Sequence, residues 1–256
     1  MRRSSIPLLN LVIFVVSEHL VLAEPPSAEA ERVAIAPFVP VDDLIAQVDY
    51  FVGRMDEALA SPQAFDLAAQ SRVMKDANTL AALALVLSLY DEDFPRRAAM
   101  PALLRGAQQL AVSEADFEKS SQALADIKRA QAGHVDPAAG AKWEGVASLS
   151  VLMKQVPVIH SRLNRGVDRR RLARQATQSA GESATLAAIA QASMIDTSYA
   201  KTAAQADEWR RQCEAMRDAA GEVNAAVHAQ DFERVSAGMK RLVQSCEACH
   251  ATFRRP

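Results

Sequence analysis

Five consecutive residues near the end of the chain, Cys246-Glu247-Ala248-Cys249-His250, carry the clearest chemical signal in the sequence. Two thiols separated by two residues and followed directly by an imidazole have the spacing at which c-type haem is attached. In that arrangement the thiols add across the two vinyl groups of the porphyrin, and the histidine reaches the iron from one side. The spacing therefore predicts one covalent haem c, with His250 as a metal ligand.

Two other chemistries also use a pair of cysteines at this spacing. A structural zinc site needs four ligands, and the only further cysteine in the sequence is Cys213. A thioredoxin-like redox disulfide is expected inside a βαβ unit, and the surrounding sequence has no such pattern. Cys213 itself lies four residues after Trp209 on one face of a predicted helix, where we interpret it as a buried thiol.

Apolar residues around the motif recur at alternating steps of three and four, which is typical of the buried face of a helix in a bundle. The residues of this face are Phe232, Val235, Met239, Leu242, Cys246, Cys249 and Phe253. His250 follows Cys246 by four residues and therefore lies beside it on the same side of the helix. The pattern predicts that this helix holds the haem inside a helical bundle.

The composition limits the size of the core and the class of partner. A chain of 256 residues, 50% hydrophobic and with a formal net charge of -2, can bury one large core or two ordinary ones. Aromatic residues make up only 5% of the chain. The basic cluster Arg169, Arg170, Arg171 and Arg174 is short, and we interpret it as the solvated face of a helix. No nucleic-acid partner is predicted.

The first 40 residues are predicted to precede the folded part of the chain. Residues 1–23 combine two arginines, an apolar run from Ile6 to Val16 and the small-residue site Val21-Leu22-Ala23, as in a secretory signal peptide. The run is too short to span a bilayer, so we expect no stable membrane insertion after cleavage; an uncleaved anchor is the alternative. Residues 24–40 carry four prolines and read as a linker. Haem of this type is attached outside the cytoplasm, so a periplasmic or secreted location agrees with the motif.

Helical periodicity covers the rest of the chain, and no segment shows the alternation of a strand. The predicted helices span residues 41–59, 62–90, a third segment that ends at 112, 116–131, 141–164, 168–194, 202–228 and 231–253. We therefore predict an all-α fold of two tandem antiparallel four-helix bundles. The first comprises residues 41–132, the second residues 141–256, and residues 133–140 link them.

A sequence repeat relates the two halves. Gly106, Ala111, Val112, Asp116, Phe117 and Glu118 recur at a constant offset as Gly221, Ala226, Val227, Asp231, Phe232 and Glu233, and Thr79-Leu80-Ala81-Ala82 recurs at a shorter offset as Thr185-Leu186-Ala187-Ala188. In the longer register the motif falls opposite residues 131–135, which contain no cysteine. The first bundle is therefore predicted to be haem-free, with His134 as a linker residue rather than a ligand.

The stretch from Trp209 to Arg254, above all Cys-x-x-Cys-His-x-x-Phe-Arg at its end, resembles the class II c-type cytochromes, the cytochrome c′ family. The resemblance is specific in the last helix, weaker over the three helices before it, and reaches the first half only through the repeat. It implies haem inside an antiparallel four-helix bundle. It further implies Cys246 and Cys249 as thioether residues, His250 as the proximal ligand and Arg254 as a basic residue near the proximal side.

Members of that family often dimerise through their first two helices. We therefore expect the two halves of this chain to pack through these helices as an internal pseudo-dimer, or two chains to form a homodimer. The tandem arrangement and Cys213 depart from the family pattern.

The residues that face the iron from the side opposite His250 determine its chemistry. The first and last helices of such a bundle are antiparallel, so the end of the last is level with the start of the first. We expect five-coordinate iron walled by Val146 and Leu149 at that level. Met153 lies one turn further and would ligate the iron if the helix slid. His160, about four turns from the predicted helix start, is expected to lie too far from the iron and to make a buried hydrogen bond.

These features predict an extracytoplasmic c-type cytochrome that passes single electrons to a redox partner protein. The alternative is a five-coordinate haem protein that binds nitric oxide or carbon monoxide as a sensor or scavenger. A third hypothesis gives the haem-free half a scaffold role, as a docking surface. The sequence shows no second metal constellation and no set of nucleophile, base and orienting residue, so the chain is not predicted to be an enzyme.

Overall fold

The computed structural model describes residues 34–113, 116–134 and 145–254, and within these ranges the structure is built from eight α-helices. The helices are α1 (Val41–Ala58), α2 (Leu67–Leu89), α3 (Met100–Ala111), α4 (Phe117–Gln131), α5 (Leu149–Gly166), α6 (Ala176–Ser193), α7 (Ala203–His228) and α8 (Phe232–Phe253). The all-α prediction is confirmed. The predicted signal peptide lies outside the described residues, and none of the described helices is both long and apolar enough to cross a membrane.

Side-chain caps explain where four of the helices begin. The carboxylates of Asp66, Asp116 and Asp231 accept hydrogen bonds from backbone N–H groups at the starts of α2, α4 and α8, and the Thr202 hydroxyl does the same for α7. Such caps satisfy N–H groups that have no partner inside the helix. The predicted starts of the fourth, seventh and eighth helices therefore agree with the structure to within a residue.

Three predicted helix starts are wrong by several residues. The second helix begins at Leu67 rather than at Pro62, because Asp66 provides the cap. The fifth begins at Leu149, and residues 145–148, which were predicted to be helical, are not. The sixth begins at Ala176 rather than at residue 168. The intervening segment forms turns in which Leu172 is buried and the arginines are exposed, so the basic cluster is not the face of a helix as predicted.

Helices adjacent in sequence pack against one another in each half, and α1 also contacts α4. The contacts between the halves involve the first two helices of each: α2 packs on α5 and α6, and α1 packs on α6. The predicted contact between these helices is therefore confirmed. Because α2 and α6 are covered on all sides, long stretches of both helices are wholly buried.

Two of the polar contacts between the halves are made by glutamines at equivalent positions. Gln155 on α5 donates a hydrogen bond to Asp76 on α2 over 3.0 Å, and Thr185 on α6 donates one to Gln47 on α1 over 3.0 Å. Gln47 and Gln155 occupy the same place in Leu-x-x-Gln-Val-x-x-x-x-x-Arg, a pattern that begins at residue 44 in α1 and at residue 152 in α5.

The arginine that ends this pattern pairs with an acidic residue of the following helix in both halves. Arg54 Nε lies 2.8 Å from Asp76, and Arg162 Nε lies 3.0 Å from Glu182. Asp76 and Glu182 are also equivalent in the repeat that contains Thr79 and Thr185. Both guanidinium groups lie 5.6 Å from the centre of the Tyr50 ring. The two arginines thus occupy equivalent positions and make equivalent ion pairs, each within its own half.

Part of the predicted linker is held against the helices. Ile35 is paired with Tyr90 in an isolated bridge, with Ile35 N donating to the Leu89 carbonyl over 2.7 Å. The hydroxyl of the fully buried Tyr90 accepts hydrogen bonds from the backbone N–H groups of Phe38 and Val39. Residues 34–40 are therefore extended, as a linker would be, but fixed in place.

The helices of the second half are longer than their counterparts at one end. When the two halves are aligned so that Phe117 matches Phe232, α7 is the counterpart of α3 and begins about three turns earlier. In the same alignment, α8 is the counterpart of α4 and ends about two turns later. The α4 helix ends there because Gly133 adopts a left-handed conformation with φ of 86°. The α4 helix therefore ends at the counterpart of Cys246, whereas α8 continues through the rest of the motif.

Candidate functional site

A cavity of about 280 Å³ lies between α5 and α8, at the level of the additional turns of α7 and α8. It is lined by Met153, Val156, Pro157 and His160 from α5, Ala190 and Ser193 from α6, Trp209, Gln212, Cys213 and Met216 from α7, and Val243, Ser245, Cys246, Glu247, Cys249 and His250 from α8. Most of these side chains are apolar, as is usual for a small-molecule or cofactor site. The structure thus brings the three chemically important residues of the motif to one cavity.

The motif residues differ in their exposure. Cys246 and Cys249 are half-buried, whereas His250 is exposed although it also lines the cavity. Cys249 packs against a small cluster formed by the buried residues Leu149, Trp209 and Cys213. Both cysteines therefore lie at the cavity, on the face of the helix that the apolar pattern predicted to be buried.

Burial keeps the thiols of the cavity protonated. It raises the pKa of Cys249 from 9.0 to about 11 and that of Cys213 from 9.0 to about 12, with a smaller contribution from the neighbouring thiols. Burial also raises the pKa of Cys246. Since the thiolate is the form that attacks disulfides and alkylating agents, burial is expected to slow the reactions of these sulfur atoms.

We expect Cys213 to be the slowest of the three cysteines to react with iodoacetamide in the folded chain before haem is attached. Each pKa unit lowers the thiolate fraction about tenfold at pH 8, so thiolate at Cys249 falls about 100-fold and at Cys213 about 1000-fold relative to an exposed cysteine. Peptide mass spectrometry after timed alkylation measures the three rates. The same chain in urea is the control, and equal rates for Cys213 in the two conditions would contradict its burial in the cavity.

Trp209 forms one wall of the cavity and is fixed on three sides. Its indole N–H donates a hydrogen bond to the carbonyl of Ser193 over 2.8 Å. Its ring stacks on Tyr199 at 5.9 Å and meets the edge of Phe253 at 5.2 Å between ring centres. Because Phe253 closes the turn after the motif, these contacts tie the end of α8 to α7 and give the wall a defined shape.

The wall of the cavity that faces the motif differs from the one predicted. Val146 and Leu149 do not line the cavity. Val146 precedes the start of α5 and packs against the main core, and Leu149 lies in the small buried cluster described above. The prediction failed because α5 starts at Leu149, eight residues later than expected, so the cavity meets residues further along the helix. Arg254 directly follows the last residue of α8, is exposed and does not line the cavity either.

Met153, predicted to lie one turn beyond the iron, and His160, predicted to lie too far from it, both line the cavity. Met153 also packs against the cluster of Leu149, Trp209 and Cys213. The predicted hydrogen bond of His160 is absent: its Nε2 atom is buried and has no hydrogen-bond partner in the described part of the chain. Burial also lowers the pKa of His160. His160 was predicted to lie too far from the site because the predicted start of α5 was eight residues too early.

A second, more open space of about 690 Å³ adjoins the cavity along α5 and α8. His160 and Val243 line both spaces. Asn164 and Lys240 lie further along the open groove. The two spaces together fall in the size range of ligand and cofactor sites in proteins.

Among the described residues, no three His, Cys, Asp or Glu side chains are grouped so that they would hold a metal ion by themselves. Comparisons of the chain with protein-family models, with curated proteins and with solved structures find no match. The assignment of a function therefore depends on the chemistry and geometry of the cavity.

Proposed function

We propose that this chain is an extracytoplasmic c-type cytochrome that carries one covalent haem c in its C-terminal half and passes single electrons to a redox partner protein. One observation supports the proposal above all others. Cys246, Cys249 and His250 line a single, largely apolar cavity, which is bounded on its other sides by α5, α6 and α7. A porphyrin needs such a combination of two thiols, an imidazole and apolar walls.

The donor set fits haem better than a bare metal ion. Two neutral thiols suit addition to vinyl groups, because each S–H adds across one C=C bond and leaves an uncharged thioether in an apolar site. His250 has a ring exposed enough to turn toward an iron that arrives with its own four nitrogen ligands. When bound, haem supplies a one-electron couple, and the protein tunes it through axial ligation and burial.

The finer architecture belongs to the same proposal. We infer two tandem four-helix bundles like those of the class II c-type cytochromes, with the first haem-free because residues 131–135, the counterpart of the motif, contain no cysteine. The equivalent positions of Gln47 and Gln155, each of which is hydrogen-bonded to the second helix of the other half, support an internal pseudo-dimer. In this view the chain is a carrier rather than an enzyme, and residues 1–23 direct it to the periplasm or out of the cell.

A gas-binding role is the competing proposal, and the apolar character of Met153, Val156 and Pro157 on the facing wall favours it. An iron with an open sixth position would bind carbon monoxide or nitric oxide there. The two proposals share the haem and differ in the number of axial ligands.

The deciding experiment is expression of the full chain in a host that matures c-type cytochromes, followed by mass spectrometry and absorption spectroscopy. We expect the mass of one haem to remain attached under denaturing conditions, and a spectrum that changes reversibly on reduction. Exported chain that lacks the added mass would refute the proposal. Carbon monoxide added to the reduced protein tests the alternative, since a large spectral change requires an open position on the iron.

A further inference from the structure

The wall that faces the haem-attachment residues contains one group that the proposed function does not explain. Of the α5 residues that line the cavity, Met153, Val156 and Pro157 are apolar, whereas His160 has two ring nitrogens. Its buried Nε2 has no hydrogen-bond partner among the described residues. Buried polar atoms in native proteins are nearly always satisfied, and an unsatisfied one calls for an explanation. The cavity is the place from which a partner for this nitrogen would come.

The first half of the chain shows what the same position contains where no haem is predicted. The pattern Leu-x-x-Gln-Val-x-x-x-x-x-Arg aligns α1 with α5 and pairs His160 with Val52. Val52 is buried in the core. In the longer register, Cys246 and Cys249 are likewise replaced by Gln131 and His134. The imidazole on the facing wall is therefore found only in the half that has the two thiols.

The directions of the helices bring the two imidazoles toward one level. Leu149, at the start of α5, belongs to the small cluster against which the last residue of α8, Phe253, packs. His160, further along α5, lies beside Val243, which comes earlier in α8. The two helices are thus antiparallel across the cavity. Side chains of a helix lean toward its N-terminus. His160 and His250 therefore lean in opposite directions along the cavity, each toward the level of the other.

Building on the proposed function, we propose that His160 is the second axial ligand of the haem iron, opposite His250. An iron atom held by two imidazoles is six-coordinate and low-spin, and it has no open position for a gas. Met153 remains an apolar wall, because its side chain packs against the cluster of Leu149, Trp209 and Cys213. The ligand set therefore favours electron transfer over binding of nitric oxide or carbon monoxide.

The test compares His160→Leu with the matched control Met153→Leu in the full, haem-loaded chain. Denaturing mass spectrometry first establishes that each protein carries haem, and electron paramagnetic resonance of the ferric state then reports the spin state. We expect the wild type and Met153→Leu to be low-spin. We expect His160→Leu to keep the covalent haem, to become high-spin and to bind carbon monoxide when reduced. If His160→Leu is exported without haem, His160→Gly replaces it, and added imidazole should restore the low-spin signal.

A high-spin wild type would overturn the proposal, as would a low-spin signal that survives in His160→Leu or in His160→Gly without imidazole. Loss of the low-spin signal in Met153→Leu would assign the ligand to the methionine instead. These results differ from a failure of the proposed function, which would appear earlier as the absence of haem mass from the wild type.

Discussion

The double variant Cys246→Ser, Cys249→Ser is expected to leave the export pathway with no covalently bound haem. Serine is the closest natural match to cysteine in shape, although smaller and more polar, and its hydroxyl cannot form the thioether, so the change removes bond formation with little disturbance of the helix. The expected result is complete loss of haem mass and of haem staining after denaturing electrophoresis. The effect is large because both covalent attachments of the proposed cofactor depend on these two sulfur atoms.

The matched control is Cys213→Ser, which changes the third cysteine of the same cavity. Cys213 lies on α7, outside the attachment spacing, and its thiol is the most strongly protonated of the three. This variant is expected to retain one haem per chain, with at most a small shift in the absorption maximum. If Cys213→Ser lost its haem while the double variant kept it, the attachment chemistry assigned to the motif would be wrong.

The position of α8 could be predicted from sequence because several local signals agree. Asp231 caps the helix, apolar residues follow at steps of three and four, and the predicted span of residues 231–253 matches the observed Phe232–Phe253. The attachment residues belong to this helix and needed no information from distant parts of the chain. Cys246 and Cys249 line the cavity as half-buried residues, whereas His250 lines it as an exposed residue.

The residues of the cavity wall that faces the motif were predicted incorrectly because they depend on where α5 begins. An error of eight residues in the start of a helix moves every later residue by about 12 Å along its axis. That distance is enough to exchange Val146 and Leu149 for Val156 and His160 at the site. No cap marks the true start: Ser148 makes no capping hydrogen bond through its side chain.

The sequence contained a signal that would have located the missing residue. The pattern shared by α1 and α5 pairs Gln47 with Gln155 and Arg54 with Arg162, and both pairs lie at the contact between the halves. The same alignment pairs His160 with Val52, so an apolar residue of the first half is replaced by a histidine in the second half. The lengths of α7 and α8, which create the cavity, depend on packing between helices, and α4 ends earlier because of the left-handed residue Gly133. These features could not be derived from periodicity alone.

The substitution Asp76→Ala is expected to lower the free energy of unfolding by about 3 kcal/mol, the largest stability effect that we predict for a single residue outside the cavity. The Asp76 side chain is 1% exposed and binds both Arg54 on α1 and Gln155 on α5. Burial raises the pKa of this carboxyl, and Arg54 acts in the opposite direction. Removing the carboxylate leaves two donors without their acceptor at the contact between the halves. Because Arg54 is 25% exposed, water can solvate part of its charge, which keeps the cost at the lower end for a broken buried pair.

Urea unfolding of the full chain measures this difference, and Asp56→Ala provides the matched control. Asp56 pairs with Lys128 over 2.9 Å, but both side chains are about half exposed, so its loss should cost less than about 1 kcal/mol. Equal effects of the two substitutions would show that the carboxylate of Asp76 does not stabilise the contact between α1, α2 and α5. A larger effect of Asp76→Ala, in contrast, would show that buried polar contacts hold the first half of the chain against the second half, which carries the motif.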